Sequence, residues 1–478
     1  MVDVQTLDKA FISGQWINGN GTFEVTNPAT GNMIAEVADC GPDQAKQAID
    51  AAADAFQSWK SITAYERAAV LERWGQLLRE HSEEVAQTIS SEMGKTITEA
   101  RGEVNFSALF IEWYSQEAKR IYGTTVPSQF SNKRLLVQEQ PVGPVYAVTP
   151  WNFPSAMIAR KAGPALAAGC TFVVKPAEAT PLTALKLAQL WEKADGPVGV
   201  FQVITANDPV HVSKVMMEDA RIRKVTFTGS TPVGKLLYKQ AADTIKRISL
   251  ELGGHAPFIV FEDADIDQAV EQTMIAKFRS IGQSCVAANR VYVDKKIKDQ
   301  FAEAYTAATK KLIVGDPLSD DTHVGPLVNQ QAVDKVDRHV RDALEKGAEA
   351  ATGGELKEGL FYHPTVLLNV NDDMQVVQEE TFGPVAPILS FDSEDEVIQK
   401  ANNTPYGLAA YFWTRDLGRT YRVAEALDYG IIGVNDGVPS TPQAPFGGVK
   451  NSGLGREGGP WGIEEYLETK YISIGLPS

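Results

Sequence analysis

The chain has 478 residues, 44% of them hydrophobic and 22% charged, with a formal net charge of −16; at roughly 100–200 residues per domain it has room for two or three. That acidity argues against polyanionic partners, so neither nucleic acid nor an anionic membrane surface is an expected ligand. No apolar run reaches the ~20 residues of a membrane span, and the opening MVDVQTLDKAF lacks the signature of a signal or transit peptide, so a cytoplasmic location is expected.

In chain order, FISGQWINGNGTFEVTNPATGNMIAEV alternates apolar and turn residues and predicts short strands. From Asp43 to about Gly94 the spacing becomes helical. Gly123–Gly143 has strand character around a polar tip and reads as a projecting hairpin. Then PVYAVT, TFVVK, VFQVIT and KVTFT, short β-branched runs separated by helical stretches, give the rhythm of a buried parallel sheet. A second alternation runs from near Gly253 to about Val434. The closing EEYLETKYISIGL predicts an exposed strand with no partner in its own neighbourhood, the kind that pairs with another subunit.

Cys40, Cys170 and Cys285 are the only cysteines, far apart and without C-x-x-C spacing, and the six histidines are scattered. Neither a disulfide framework nor a metal site is expected. Cys285 lies in KFRSIGQSCVAANR, where Gly282, Gln283 and Ser284 suit a loop better than the packed core that most free cysteines occupy. A thiolate there is a nucleophile. Glu251 closes the strand-like RISLE before Gly253-Gly254, at the kind of strand end where α/β folds build sites, and a carboxylate can activate water. Asn152 of TPWNFP follows the first parallel-strand run; its amide can donate to an oxyanion, and Pro154 suits the first position of the next helix. FTGSTPVGK follows a strand and opens a helix, whose N-terminal N–H groups and the Ser230 hydroxyl can hold a pyrophosphate. In KPAEATP, Glu178 can accept hydrogen bonds from both ribose hydroxyls of an adenosine and would repel a 2′-phosphate, which favours NAD over NADP.

TPWNFP, KPAEATP, FTGST, ELGGHAP, GQSC, EETFGP and PFGGVKNSGLGREGG follow one another along the whole chain. Together they resemble the aldehyde dehydrogenase superfamily, and in most detail its bacterial succinate-semialdehyde dehydrogenases. The resemblance implies an α/β, three-domain architecture. Its parts would be a Rossmann-like cofactor domain (residues 1–122 and 144–252), an α/β catalytic domain (253–436) and an oligomerisation arm of hairpin and C-terminal strand (123–143 and 461–478). It implies Cys285 as nucleophile, Glu251 as general base and Asn152 as oxyanion donor. Thr149, Trp151, Lys175, Glu178, Gly229 and Ser230 would contact the cofactor, joined by Leu252, and Glu380 with Phe382 would support the nicotinamide ribose. NAD is the expected cofactor, NADP the alternative, and a homodimer or homotetramer the expected assembly.

Arg160, Arg279 and Ser440 match the residues that hold a distal carboxylate in the succinate-semialdehyde branch. Two guanidiniums and a hydroxyl suit one carboxylate, with charge-assisted bonds worth ~1.5–3 kcal/mol each. The expected substrate is therefore a small anionic aldehyde, succinate semialdehyde first, with glutarate semialdehyde, 2-oxoglutarate semialdehyde and sulfolactaldehyde as alternatives. Ala287 stands where many relatives carry a second cysteine, so a redox-switch disulfide is not expected. Two other classes fit less well: a cysteine acyl transferase or thiol hydrolase working without a nicotinamide, and a non-catalytic nucleotide-binding protein of the same fold.

Overall fold

The β-branched runs become buried strands in the computed structural model, which describes residues 7–477. Residues 1–6 of the expected cofactor-domain span, and Ser478 at the end of the expected arm, lie outside the described residues.

Five strands form the parallel centre of an eight-stranded sheet, in the order Phe201–Val203, Phe172–Lys175, Val145–Val148, Lys224–Thr228 and Arg247–Glu251. Nearly every residue in them is buried, as strands covered on both faces require. The register pairs Val148 with Lys175 and Thr228 with Glu251. The chain therefore leaves the strands that end at Val148, Lys175, Thr228 and Glu251 at the same edge, and the sheet collects there the residues expected to meet a cofactor and to act as a base. On one face Trp59, Trp74, Trp191 and Phe201 pack edge-on or tilted, with Trp74 and Trp191 centroids 5.4 Å apart. The buried indoles are satisfied: Trp59 and Trp74 donate to the Leu166 and Leu187 carbonyls at 3.1 Å each.

The second sheet has seven strands, six of them parallel, with Ala256–Val260 and Ala288–Asp294 at its middle. The segment 437–460, outside every expected domain, returns to the first sheet: Gly453–Leu454 pairs antiparallel with Leu250 and Glu251. Gly453 has φ +145°, and a Cβ there would stand 1.9 Å from the Leu250 carbonyl oxygen, so only glycine fits.

The C-terminal strand Leu467–Gly475 pairs with no neighbour in sequence but antiparallel with the distant Lys133–Pro141 over its full length, beside Thr124–Val126. One local expectation fails. The helix after TPWNFP opens at Ala156, not at Pro154. A buried carboxylate from another helix caps this start, where Glu103 Oε1 accepts the Ser155 and Ala156 N–H groups at 2.9 and 3.1 Å. No helix among the described residues is long and apolar enough to cross a membrane.

Candidate active site

The helix Ile266–Phe278 stops where Arg279 turns extended (φ −55°, ψ 134°). Ser280, Ile281 and Gly282 then take left-handed φ values of 53°, 62° and 72°, a conformation costly for a β-branched residue. Cys285 follows on a loop pinned from several sides. Asn152 Nδ2 donates to the Gln283 carbonyl at 2.9 Å, Val328 N–H donates to Gln283 Oε1 at 3.1 Å, and Tyr411 donates its hydroxyl to the Val286 carbonyl at 2.8 Å. A Cβ on Gly254 would lie 2.1 Å from the Cys285 carbonyl oxygen, and one on Gly253 3.0 Å from Glu380 Oε2. The two glycines after Leu252 thus let the nucleophile loop and the EETFGP loop close onto the sheet edge. Cys285 is half-buried, whereas Cys40 and Cys170 are 4% and 0% exposed in the core.

Cys285 lies where two cavities meet. One, of about 280 Å³, is lined by Cys285, Arg160, Arg279 and Ser440, with Glu99, Phe153 and Phe446 among its other walls. The other, of about 430 Å³, runs past Trp151, Asn152, Gly229, Ser230, Leu252, Glu380 and Phe382. Phe153, Met157 and Cys285 belong to both. The two arginines differ. Arg160 is 3% exposed, its Nε is 2.6 Å from Glu457 Oε2, and its guanidinium lies 3.9 Å over the Phe446 ring. Its Nη2 is buried without a hydrogen-bond partner. Arg279 is half-buried, lies 5.7 Å over the Phe153 ring, and makes no ion pair among the described residues.

Glu457 also holds Lys161, so one buried carboxylate faces two cations. Burial pushes Glu457 up, but Lys161 and Arg160 outweigh it and keep it ionised below the usual carboxylate range. Glu251, at 4% exposure, goes the other way: burial and the neighbouring Glu457 charge raise its pKa well above normal, with Arg160, Lys161 and Arg456 opposing. Its Oε2 has no hydrogen-bond partner. Gly447 (φ +156°) leaves room for this carboxylate, since a Cβ there would stand 2.9 Å from Glu251 Oε1. Burial, Glu380 and Glu251 push the Cys285 thiol up to about 12 against the pull of Arg160.

The groove suits a dinucleotide. Ser230 caps the helix Thr231–Ala242 without a side-chain bond, leaving the first N–H groups free, and the Thr228 hydroxyl is buried without a partner. Trp151 and Phe382 meet edge to face at 5.6 Å, Phe382 in a left-handed conformation (φ 56°). Glu380 accepts the Gly254 N–H at 3.0 Å, and burial raises its pKa to about 7. Thr149, Lys175 and Glu178 do not line this groove; they sit along the same sheet edge, with Lys175 ion-paired to Glu178.

Glu457, Phe446, Glu99 and Phe153 escaped the sequence reading. The first two lie in a motif quoted for its resemblance, yet nothing in its spacing says that the acid reaches Arg160, a residue nearly three hundred positions upstream. Nothing around Glu99 marks it as anything but a helix-surface acid.

The aldehyde dehydrogenase family model matches residues 16–472, and the chain belongs to that family. It is 51% identical to the NADP-linked succinate-semialdehyde dehydrogenase of Escherichia coli (strain K12), over 98% of each chain. It is 50% identical to a glutarate-semialdehyde dehydrogenase of Pseudomonas putida, again over 98% of each. Among solved structures, an Escherichia coli NADP-dependent enzyme superposes with a TM-score of 0.98 at 50% identity over 100% of both chains.

Proposed function

We propose that this aldehyde dehydrogenase oxidises a short aldehyde bearing a distal anion, succinate semialdehyde foremost, to the corresponding acid with NAD. The observation that carries this reading is the position of Cys285 between a groove suited to a dinucleotide and a cavity bordered by Arg160, Arg279 and Ser440. The tail carboxylate lies against Arg279, which makes no ion pair among the described residues, and against the unpartnered Nη2 of Arg160.

The Cys285 thiol gives its proton to solvent, and the sulfur adds to the carbonyl carbon, forming a C–S bond as the C=O π pair moves onto oxygen. Asn152 has two amide N–H groups and gives one to Gln283; the other, with the Cys285 N–H, holds the developing oxyanion. A nicotinamide dinucleotide held in the groove by Trp151, Ser230, Glu380 and Phe382 would supply the hydride acceptor through which the thiohemiacetal becomes a thioester. Glu251 then removes a proton from water, whose oxygen attacks the thioester carbon and expels the Cys285 thiolate. Burial and the Glu457 charge raise the Glu251 pKa well above the usual carboxylate range, which makes it a stronger base than an ordinary carboxylate. NAD is favoured because the Lys175 ammonium is already neutralised by Glu178, leaving a 2′-phosphate a carboxylate to face.

The test is a panel of aldehydes with and without a terminal anion, assayed with NAD and then NADP, alongside Cys285→Ala. Preference for the anionic members, lost with the thiol while NAD still binds, supports the reading. Equal turnover of neutral and anionic aldehydes overturns the substrate. Thioester turnover without NADH formation selects a hydrolase or acyl transferase instead.

A further inference from the structure

Glu99 belongs to the first turn of the helix Ile97–Glu117 and reaches into the wall of the tail cavity. Its Oε1 accepts the Ser280 N–H at 2.8 Å, while Oε2 is buried without a hydrogen-bond partner. Ser280 is the first of three consecutive left-handed residues, and Arg279, immediately before it, is extended. Such a turn persists only where its surroundings over-determine it. Its downstream side is held by the close approach of Gly282 to the Gly383 carbonyl, where a Cβ would stand at 2.3 Å, and by the anchors on Gln283. On the upstream side, the bond to Glu99 is the side-chain contact that fixes Ser280.

The charge arrangement agrees. Lys95 and Arg279 both lie over the Phe153 ring, at 3.7 and 5.7 Å. Lys95 is paired with Glu103. The Glu99 carboxylate is near enough to Arg279 to feel its charge, but the two form no ion pair among the described residues. Engaged by the Ser280 N–H, Glu99 stays off the guanidinium and leaves it open to the cavity.

We infer that Glu99 is a positioning residue for the substrate-tail arginine: it locks the left-handed turn that aims Arg279 at the incoming anion. The inference rests on the anionic-tail reading above. Because Cys285 is held separately by Asn152, Val328 and Tyr411, loss of Glu99 acts on tail binding and spares the chemistry.

The experiment compares wild type, Glu99→Ala, Glu99→Gln and Arg279→Ala on succinate semialdehyde and on butanal. Glu99→Ala raises KM for succinate semialdehyde at least about tenfold more than it changes KM for butanal. Glu99→Gln keeps an acceptor oxygen for Ser280 and restores KM to within about threefold of wild type. Partial misfolding lowers kcat for both aldehydes together and does not move KM, so it cannot imitate this result. An unchanged KM in Glu99→Ala, an equal loss on both aldehydes, or Glu99→Gln behaving like Glu99→Ala overturns the inference. If Arg279→Ala leaves the KM for succinate semialdehyde untouched, the anionic-tail reading itself falls. If Arg279→Ala raises it and Glu99→Ala does not, only the role of Glu99 falls.

Discussion

The two arginines of the tail cavity do different work, and separate substitutions distinguish them. Arg279 has no ion-pair partner among the described residues and is half-buried; removing it breaks no ion pair, takes from Glu99 one of two nearby cations, and deletes the contacts made with a bound anion. One or two charge-assisted bonds, together about 3 kcal/mol, correspond to a roughly 100- to 200-fold fall in kcat/KM for succinate semialdehyde at about 1.4 kcal/mol per decade. Butanal, with no anion to bind, changes little. Arg160 is tied to Glu457 beneath the Phe446 ring. Arg160→Ala leaves Glu457 with Lys161 alone and takes from Glu251 the foremost of the cations that oppose its raised pKa. The Glu251 pKa then rises further, and less of it is available as a base at a given pH. Turnover of butanal therefore falls as well, by about tenfold for each pKa unit gained, as long as the carboxyl stays mostly protonated. Steady-state NADH formation on both aldehydes across a pH series reads both effects: Arg279→Ala changes KM for one substrate, whereas Arg160→Ala also shifts the acid limb of kcat for both. Equal losses on the two aldehydes in Arg279→Ala, or an Arg160→Ala variant that affects only the anionic aldehyde, would refute this division of roles.

With its pKa pushed up to about 12, Cys285 in the free enzyme is a thiol at neutral pH, and its alkylation by iodoacetamide is expected to climb about tenfold per pH unit from pH ~7 to ~9; a plateau below pH ~8 in the rate profile shows that the cavity does not hold the proton. Replacing Glu178 by serine frees the Lys175 ammonium from its ion pair, so the kcat/KM ratio of NADP to NAD should rise about tenfold or more, and an unchanged ratio removes Glu178 from cofactor selection. Gly254→Ala drives a methyl group to within 2.1 Å of the Cys285 carbonyl oxygen; oxidation should fall about a hundredfold or more as the nucleophile shifts, and near-normal activity in a folded variant would mean that the loop has slack. Peroxide treatment should inactivate the enzyme without forming an intramolecular disulfide, since Cys40 and Cys170 are buried in the core of the first sheet's domain and Ala287 offers no thiol; thiol-specific mass mapping that finds Cys285 joined to either one contradicts that packing.

The parallel strands were legible because β-branched runs bounded by turn residues have few other ways to hide both faces. The edge where Lys175, Thr228 and Glu251 end could be inferred from the same runs, since parallel strands leave the sheet on one side. What could not be read was whatever depends on contact between distant segments. Gly453 pairing beside Glu251, the strand Leu467–Gly475 lying against Lys133–Pro141, and Glu457 meeting Arg160 all join the C-terminal segment to much earlier chain. Local pattern also misled where tertiary structure overrode it. Pro154 looks like a helix start until Glu103 caps the N–H groups of Ser155 and Ala156, and Ser280-Ile281 carries no glycine or asparagine to announce a left-handed turn.

The architecture turns on the dipeptide after Leu252. Glu251 ends a strand whose neighbour delivers Thr228 and the pyrophosphate turn, so the base and the cofactor groove are set by one sheet edge. The nucleophile comes from the second sheet's side of the molecule and must reach that edge across a backbone; Gly254 makes the approach possible, and Gly253 admits Glu380 in the same way. Burial, with Glu380 and Glu251 nearby, raises the proton affinity of the sulfur, and burial with Glu457 nearby raises that of the base. The cations Arg160, Lys161 and Arg456 sit on the side of Glu251 and Glu457, where they moderate that rise. Arg279 stands apart from this balance and makes no ion pair among the described residues. An incoming anion therefore meets a guanidinium that no described carboxylate contacts directly, even though the chain as a whole carries −16. Local placement of one guanidinium, held by the turn at Ser280, outweighs the repulsion of the overall field because it acts at contact distance and out of bulk solvent, where charges are screened least.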